Sequence, residues 1–222
     1  MASPARRTMA LAFAALLLFY AGADIFMPLH RDLRQFDPQA VGSLETRMWR
    51  AYYDRRPALL FLELAEALRT QYHFPWLRSW LGAWFGASAA FTFKDGGDRG
   101  DYERALPALR HYFALIRDTD EPPFDVTRAA RLELEWWIVH RERATYPPDA
   151  LGRACADAAA HLYGVPVLAT LPHGRLRAAA MAIRDGRDEA GGLTEADWAS
   201  INTLLNQSYQ SLRQALAADE RH

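Results

Sequence analysis

The sequence predicts an all-α protein, a single bundle-like domain of about seven or eight helices with an N-terminal hydrophobic anchor or signal helix. Three observations predict it. Apolar residues recur at helical spacing in segment after segment, no run sustains the period-two alternation of a half-buried strand, and no unit of fixed length repeats. Val165 to Leu171 is the one stretch that reads as extended. The 222 residues are enough for one domain with an appendage, and 50% hydrophobic content supports a real core. The net charge of -1 gives no overall attraction to nucleic acid, and basic residues are scattered among acids, so nucleic-acid binding is not expected. Cys155 stands alone, which excludes an intrachain disulfide and a cysteine zinc cluster. Lys94 is the only lysine and alanine is abundant, a composition expected of a GC-rich bacterial genome.

The chain opens with Arg6 and Arg7 before an uncharged apolar run from Met9 to Ala23. If the helix continues past Asp24 through Met27 up to Pro28, it reaches about 28 Å, and residues 9–28 form a membrane anchor. Ala21-Gly22-Ala23 has the small-x-small form of a signal-peptidase site, so cleavage at Ala23, releasing a secreted or periplasmic protein, is the alternative. In both cases the arginines keep the N-terminus cytoplasmic and the main domain is exported. A buried core helix of a cytosolic protein is the third, blander reading. The chain thus divides into residues 1–28 as anchor or signal, 29–42 as linker, with Asp37-Pro38 a turn, and 43–222 as the globular domain.

The first domain helix is expected to open near Ser43, with Val41, Leu44, Met48, Trp49 and Tyr52 on one side and Glu45 anomalous among them. Pro57 starts the next helix, whose Leu60, Phe61, Leu64, Ala65 and Leu68 form a buried stripe while Glu63 and Glu66 face solvent. In the apolar stretch Phe74–Phe93, Arg78 is the sole charge before Lys94. Trp76, Trp80 and Trp84 recur every fourth residue, and Gly82 and Gly86 have the spacing of a helix-contact face. This segment reads as a buried central helix or one lying on a membrane surface, with the three tryptophans as core or interface anchors and the candidate interaction surface.

The loop Lys94–Asp101 fails as a calcium site, because Gly97 and Arg99 fall where ligands belong. Asp101 is expected to cap a helix reaching about Arg117, with Leu106, Leu109, Phe113 and Ile116 inward and His111 exposed. Asp125 caps the next, Phe124–Arg143, the densest chemistry in the chain. A helix over about 149–163 buries Leu151, Cys155, Ala158 and Leu162, Cys155 serving as a small core residue. Another covers 171–184. Thr194 to Asp197 resembles a capping box, opening a last helix with Trp198, Ile201, Leu205, Leu212 and Leu216 inward.

No phosphate-binding loop, GxSxG, HExxH or haem-attachment motif is present, and no glutamate has a histidine three residues on, as a ferritin-like di-metal bundle requires. No cofactor is implied. What remains is Glu133 and His140, within about 20° of one another on the helix, framed by Trp136 and Trp137, while Glu135 and Glu142 project elsewhere. If Glu45, Glu133 and His140 converge in one pocket, desolvation makes them general acid/base groups or metal ligands. The competing reading is a buried polar network in which arginines, indole N–H groups or Tyr52 satisfy the carboxylates and fix helix register. The function expected overall is that of a membrane-anchored extracytoplasmic interaction or structural module, with a possible protein partner. The alternative is a helical enzyme or metal-binding protein using Glu45, Glu133 and His140.

Overall fold

The computed structural model describes residues 4–27, 29, 31–118, 124–188 and 192–219. Among them no β-strand occurs, and the elements are all helical. In chain order they are α1 (Pro4–Phe26), α2 (Pro38–Tyr53), α3 (Pro57–Thr70), α4 (Trp76–Asp95), α5 (Arg99–Glu103), α6 (Leu106–Arg117), α7 (Val126–Arg141), α8 (Ala150–Tyr163), α9 (Val167–Asp188) and α10 (Glu195–Asp219), with a 3-10 turn at Arg143–Thr145 after α7. The all-α architecture is as the periodicity predicts.

Several boundaries differ from the expected ones, each for a local reason. The helix α2 opens at Pro38, not near Ser43, because Asp37 Oδ1 accepts from Gln39 N at 2.8 Å and Ala40 N at 3.1 Å and Pro38 fits the first helical position. Leu33 and Phe36, in the stretch read as linker, are buried in the main core. Asp98, not Asp101, caps α5, accepting Asp101 N at 2.9 Å. The expected extended piece Val165–Leu171 is instead mostly helical, since α9 begins at Val167 and runs through Pro172. Its first turns are fixed to α8, where the buried Thr170 hydroxyl donates to Ala156 O at 2.8 Å. The proline removes only a bond to the carbonyl of Leu168, an exposed residue. On α8 the buried face is turned from the one expected: Cys155 is buried, but with Gly152, Ala156, Ala159, Ala160 and Tyr163. The Thr194–Asp197 box forms reciprocally, Thr194 N donating to Asp197 Oδ2 at 2.9 Å and Asp197 N to Thr194 Oγ1 at 3.2 Å.

Packing runs through the pairs α8–α9, α9–α10, α10–α2, α2–α3, α3–α4, α4–α6, α6–α7 and α7–α8, so the helices after α1 close around a common interior. Two crossings depend on glycine for close approach. A Cβ at Gly174 would lie 2.0 Å from Gly152 O on α8, and one at Gly42 would lie 2.8 Å from Asn206 N on α10. On α4, a Cβ at Gly82 would meet Leu68 Cδ1 at 2.7 Å and one at Gly86 would meet Leu64 Cδ1 at 3.4 Å. The glycine spacing of α4 is therefore a helix-contact face, and the contact is with α3 and α6 of the same domain.

The short helix α5 lies against α4 and α7, and α1 packs on α4 through its C-terminal end. Arg6–Phe26, 21 residues, is long and apolar enough to cross a membrane and is 6% buried in its most apolar window. At 1.5 Å per residue that span is about 31 Å, against roughly 30 Å of hydrocarbon.

Candidate functional site

The helix around Phe124–Arg143 forms as expected. Asp125 Oδ1 accepts from Thr127 N at 2.8 Å and Arg128 N at 3.1 Å, opening α7. Ala129, Ala130, Leu134 and Ile138 point into the main core. The next stripe around the helix, Glu133, Trp136, Trp137 and His140, borders a cavity of about 190 Å³ between α7, α2, α3, α4, α6 and α9. Glu45 borders it from α2. A second hollow of about 220 Å³ shares Glu45, Glu133, Trp136 and Arg177 with the first and extends toward α8 and α10. Glu135 is turned away, in an ion pair with Arg99 at 2.7 Å.

The three candidate residues thus share one cavity, but do not combine as ligands. Among the described residues no group of three or more histidine, cysteine, aspartate or glutamate side chains is arranged to hold a metal ion. An arginine takes the first carboxylate: Arg177 Nη2 donates to Glu45 Oε1 at 2.5 Å, and Trp49 Nε1 donates to the same oxygen at 3.1 Å. The Arg177 guanidinium also lies over the Trp136 ring, 5.1 Å from its centroid. Burial opposes its charge, but Glu45, with Tyr209, Cys155 and Glu133 beyond it, holds the guanidinium above its ordinary pKa. Glu133 Oε1 accepts from Trp137 Nε1 at 3.1 Å. Its carboxyl sits above the ordinary glutamate range because burial disfavours the anion by more than Arg177 and the indole N–H groups favour it. Glu133 keeps some accessible surface although protein surrounds it, consistent with its place in the cavity wall.

His140 belongs to a different centre. Its Nε2 pairs with Asp185 Oδ2 at 3.0 Å, and the same carboxylate takes Arg143 at 3.2 Å and Arg184 at 3.1 Å. Burial pushes Asp185 up, yet His140, Arg184 and Arg143 together hold it below the usual carboxylate range. Asp185 therefore fixes the imidazole at the cavity edge, and His140 has no hydrogen bond to either glutamate.

Two other buried groups resemble catalytic ones and do not have the arrangement chemistry needs. Burial pushes the Cys155 thiol up to about 12, so it stays protonated. Ser208 Oγ lies 2.7 Å from His173 Nδ1 and 2.8 Å from His173 O, and Nδ1 also lies 3.2 Å from Ser208 O, so the pair is tied to the backbone of both helices and fully buried. Burial lowers the His173 pKa to about 3.

Outside the bundle, the tryptophans of α4 form a ridge. Trp76, Trp80 and Trp84 are 55%, 40% and 63% exposed. Trp76 and Trp80 stack at 5.7 Å, and Phe61 of α3 meets Trp80 edge-on at 5.3 Å. The ridge starts where α1 ends. Asp24 Oδ1 accepts Arg78 N at 3.0 Å, capping α4 from another helix, while Arg78 Nε donates to Asp24 O at 3.2 Å and Nη2 to Met27 O at 2.6 Å. Both residues are buried.

No family model matches the chain, and neither a curated protein nor a solved structure proved similar to it. The residues missed by sequence reasoning are Arg177, Asp185 and the Asp24–Arg78 joint. Arg177 had a signal, for it lies four residues after His173 and four before Met181 on a stripe that otherwise turns inward. A basic residue on an apolar stripe answers the acidic one at Glu45. Asp24 and Arg78 had another, as single charges in the two most apolar segments.

Proposed function

We propose that the protein is a membrane-tethered helical module, held by α1 as a single span and lying with the outer ridge of α4 in the bilayer interface, where it serves an interaction or structural role. The observation that carries this is the Asp24–Arg78 joint, which fastens the end of α1 to the first turn of α4 and starts the Trp76–Trp80–Trp84 ridge at that point. Indoles suit that level of a bilayer because the ring is apolar and the N–H is polar. The orientation that fits Arg6 and Arg7 has the N-terminus cytoplasmic and the domain outside. The joint also favours an intact α1 over cleavage at Ala23. Cleavage there would make Asp24 the terminal residue, placing a new ammonium group beside the buried Arg78. The enzyme or metal-binding alternative has less support, since Arg177 pairs with Glu45 and Asp185 with His140, so the three candidates do not converge as ligands.

Carbonate extraction of membranes tests the tether. The full chain is expected to stay in the pellet and a chain lacking residues 1–28 to be released, with the mature N-terminus upstream of Asp24. A mature protein beginning at Asp24, or a full chain released by carbonate, would overturn the reading.

A further inference from the structure

The wall of the 190 Å³ cavity carries an electrostatic imbalance that the fold leaves unanswered. Glu45 and Glu133 face it together with one guanidinium, Arg177, which is already held by Glu45 Oε1 at 2.5 Å. Among the described residues no cation closes on Glu133 to ion-pairing distance; its hydrogen bond at 3.1 Å comes from the neutral indole of Trp137. Glu45 is 5% exposed, and its second oxygen, Oε2, has no hydrogen-bond partner. Two carboxyl groups against one guanidinium leave one of them without a cation, in a space bounded by the indoles of Trp49, Trp136 and Trp137.

We propose that this cavity binds a small organic cation, an ammonium group carried on a compact apolar body, with the ammonium between Glu45 Oε2 and the Glu133 carboxylate and the apolar part among the indoles. The chemistry selects that class over the others. An anion would meet two carboxylates and a guanidinium already engaged. A purely apolar guest would leave the Glu45 oxygen desolvated and unpaired, an arrangement that buried polar groups avoid. An ammonium supplies the missing charge and donors, and π faces favour it further. Size agrees, since an apolar cavity of about 150 Å³ accommodates benzene. The space here, about 190 Å³, suits one ring with a short arm. This site is separate from the outer ridge of α4, so its failure leaves the membrane reading untouched.

The test uses the full chain in detergent and two probes of the same shape, benzylammonium and benzyl alcohol, followed by titration calorimetry and by saturation transfer from protein to probe. Benzylammonium should bind at least about tenfold more tightly than the alcohol, the Glu133→Gln chain should bring the two within about threefold, and replacing Trp76, Trp80 and Trp84 by phenylalanine should change neither. Equal affinities in the unmodified chain would mean an apolar hollow with no preference for charge. Binding of neither probe would mean a cavity filled by water alone. Either result overturns the proposal, and neither depends on the Glu133→Gln chain being folded.

Discussion

Two groups of three tryptophans lie in opposite settings within this fold. Trp49, Trp136 and Trp137 border the interior cavity, and the N–H groups of Trp49 and Trp137 are spent on Glu45 and Glu133, each at 3.1 Å. Trp76, Trp80 and Trp84 lie on the outside of α4, from 40% to 63% exposed, with no carboxylate bonded to their N–H groups among the described residues. The inner pairs share one local pattern, a glutamate four residues before its tryptophan, which a helix brings to the same face. The outer ones follow Tyr72, Trp76 and Trp80 at that spacing and have no acid there. Tryptophan content alone does not locate a core; the acceptor for the indole N–H does.

The comparison breaks most directly at Arg177. Arg177→Met strands Glu45 as a buried anion, and a loss of about 3 to 5 kcal/mol is expected in denaturant unfolding. A second change, Glu45→Gln, should restore part of it. A loss below about 1 kcal/mol would mean that the inner cluster is solvated like the outer ridge.

Acid distinguishes the two regions next. His173 borders the second hollow, and burial takes its pKa from 6.5 down to about 3. In the window between those values the unfolded chain binds the proton and the folded chain does not, so stability is complete above about 6.5 and falls with pH below it. The limiting slope is about 1.4 kcal/mol per pH unit. Glu133 acts in the other direction. Its raised pKa stabilises the fold below its ordinary value of 4.5, and that contribution is lost as pH rises through the folded pKa. Thermal unfolding from pH 7 to pH 4 should show a decline that His173→Gln makes shallower, whereas the triple Trp→Phe chain should follow the parent.

The two faces of α4 give a smaller contrast within one helix. Gly82→Ala sets a Cβ 2.7 Å from Leu68 Cδ1 and forces a buried leucine to move, at about 1 to 3 kcal/mol. Trp84→Ala, on the outer face, should stay within about 0.5 kcal/mol by the same unfolding measurement. Similar costs at both positions would mean that the ridge is packed against protein rather than open.

Much of this was readable from the sequence. Period-3.6 patterning identified the helices, Asp125 and Thr194 marked starts that form as expected, and the stripe of Glu133 and His140 does border a cavity with Glu45. What escaped depends on which helices meet. Asp37-Pro38 has the composition of a turn and acts as cap and first residue because Leu33, Phe36 and Val41 bury around it. The helix expected over 171–184 begins instead at Val167, because the packing of Thr170 on α8 carries it back. Gly82 and Gly86 read correctly as a contact face, while the choice of partner, α3 and α6 rather than a helix in lipid, is a tertiary fact. Asp185 could not be paired with His140 from a separation of 45 residues.

The central claim, that the α4 ridge beside α1 rests in a bilayer interface, is tested most directly by tryptophan quenching with brominated lipids in vesicles holding the full chain. Bromine near the headgroup should quench part of the emission of the unmodified chain and spare the chain with Trp76, Trp80 and Trp84 replaced by phenylalanine, whose remaining indoles are at positions 49, 136, 137 and 198. Equal quenching of the two chains, or none in either, would contradict it.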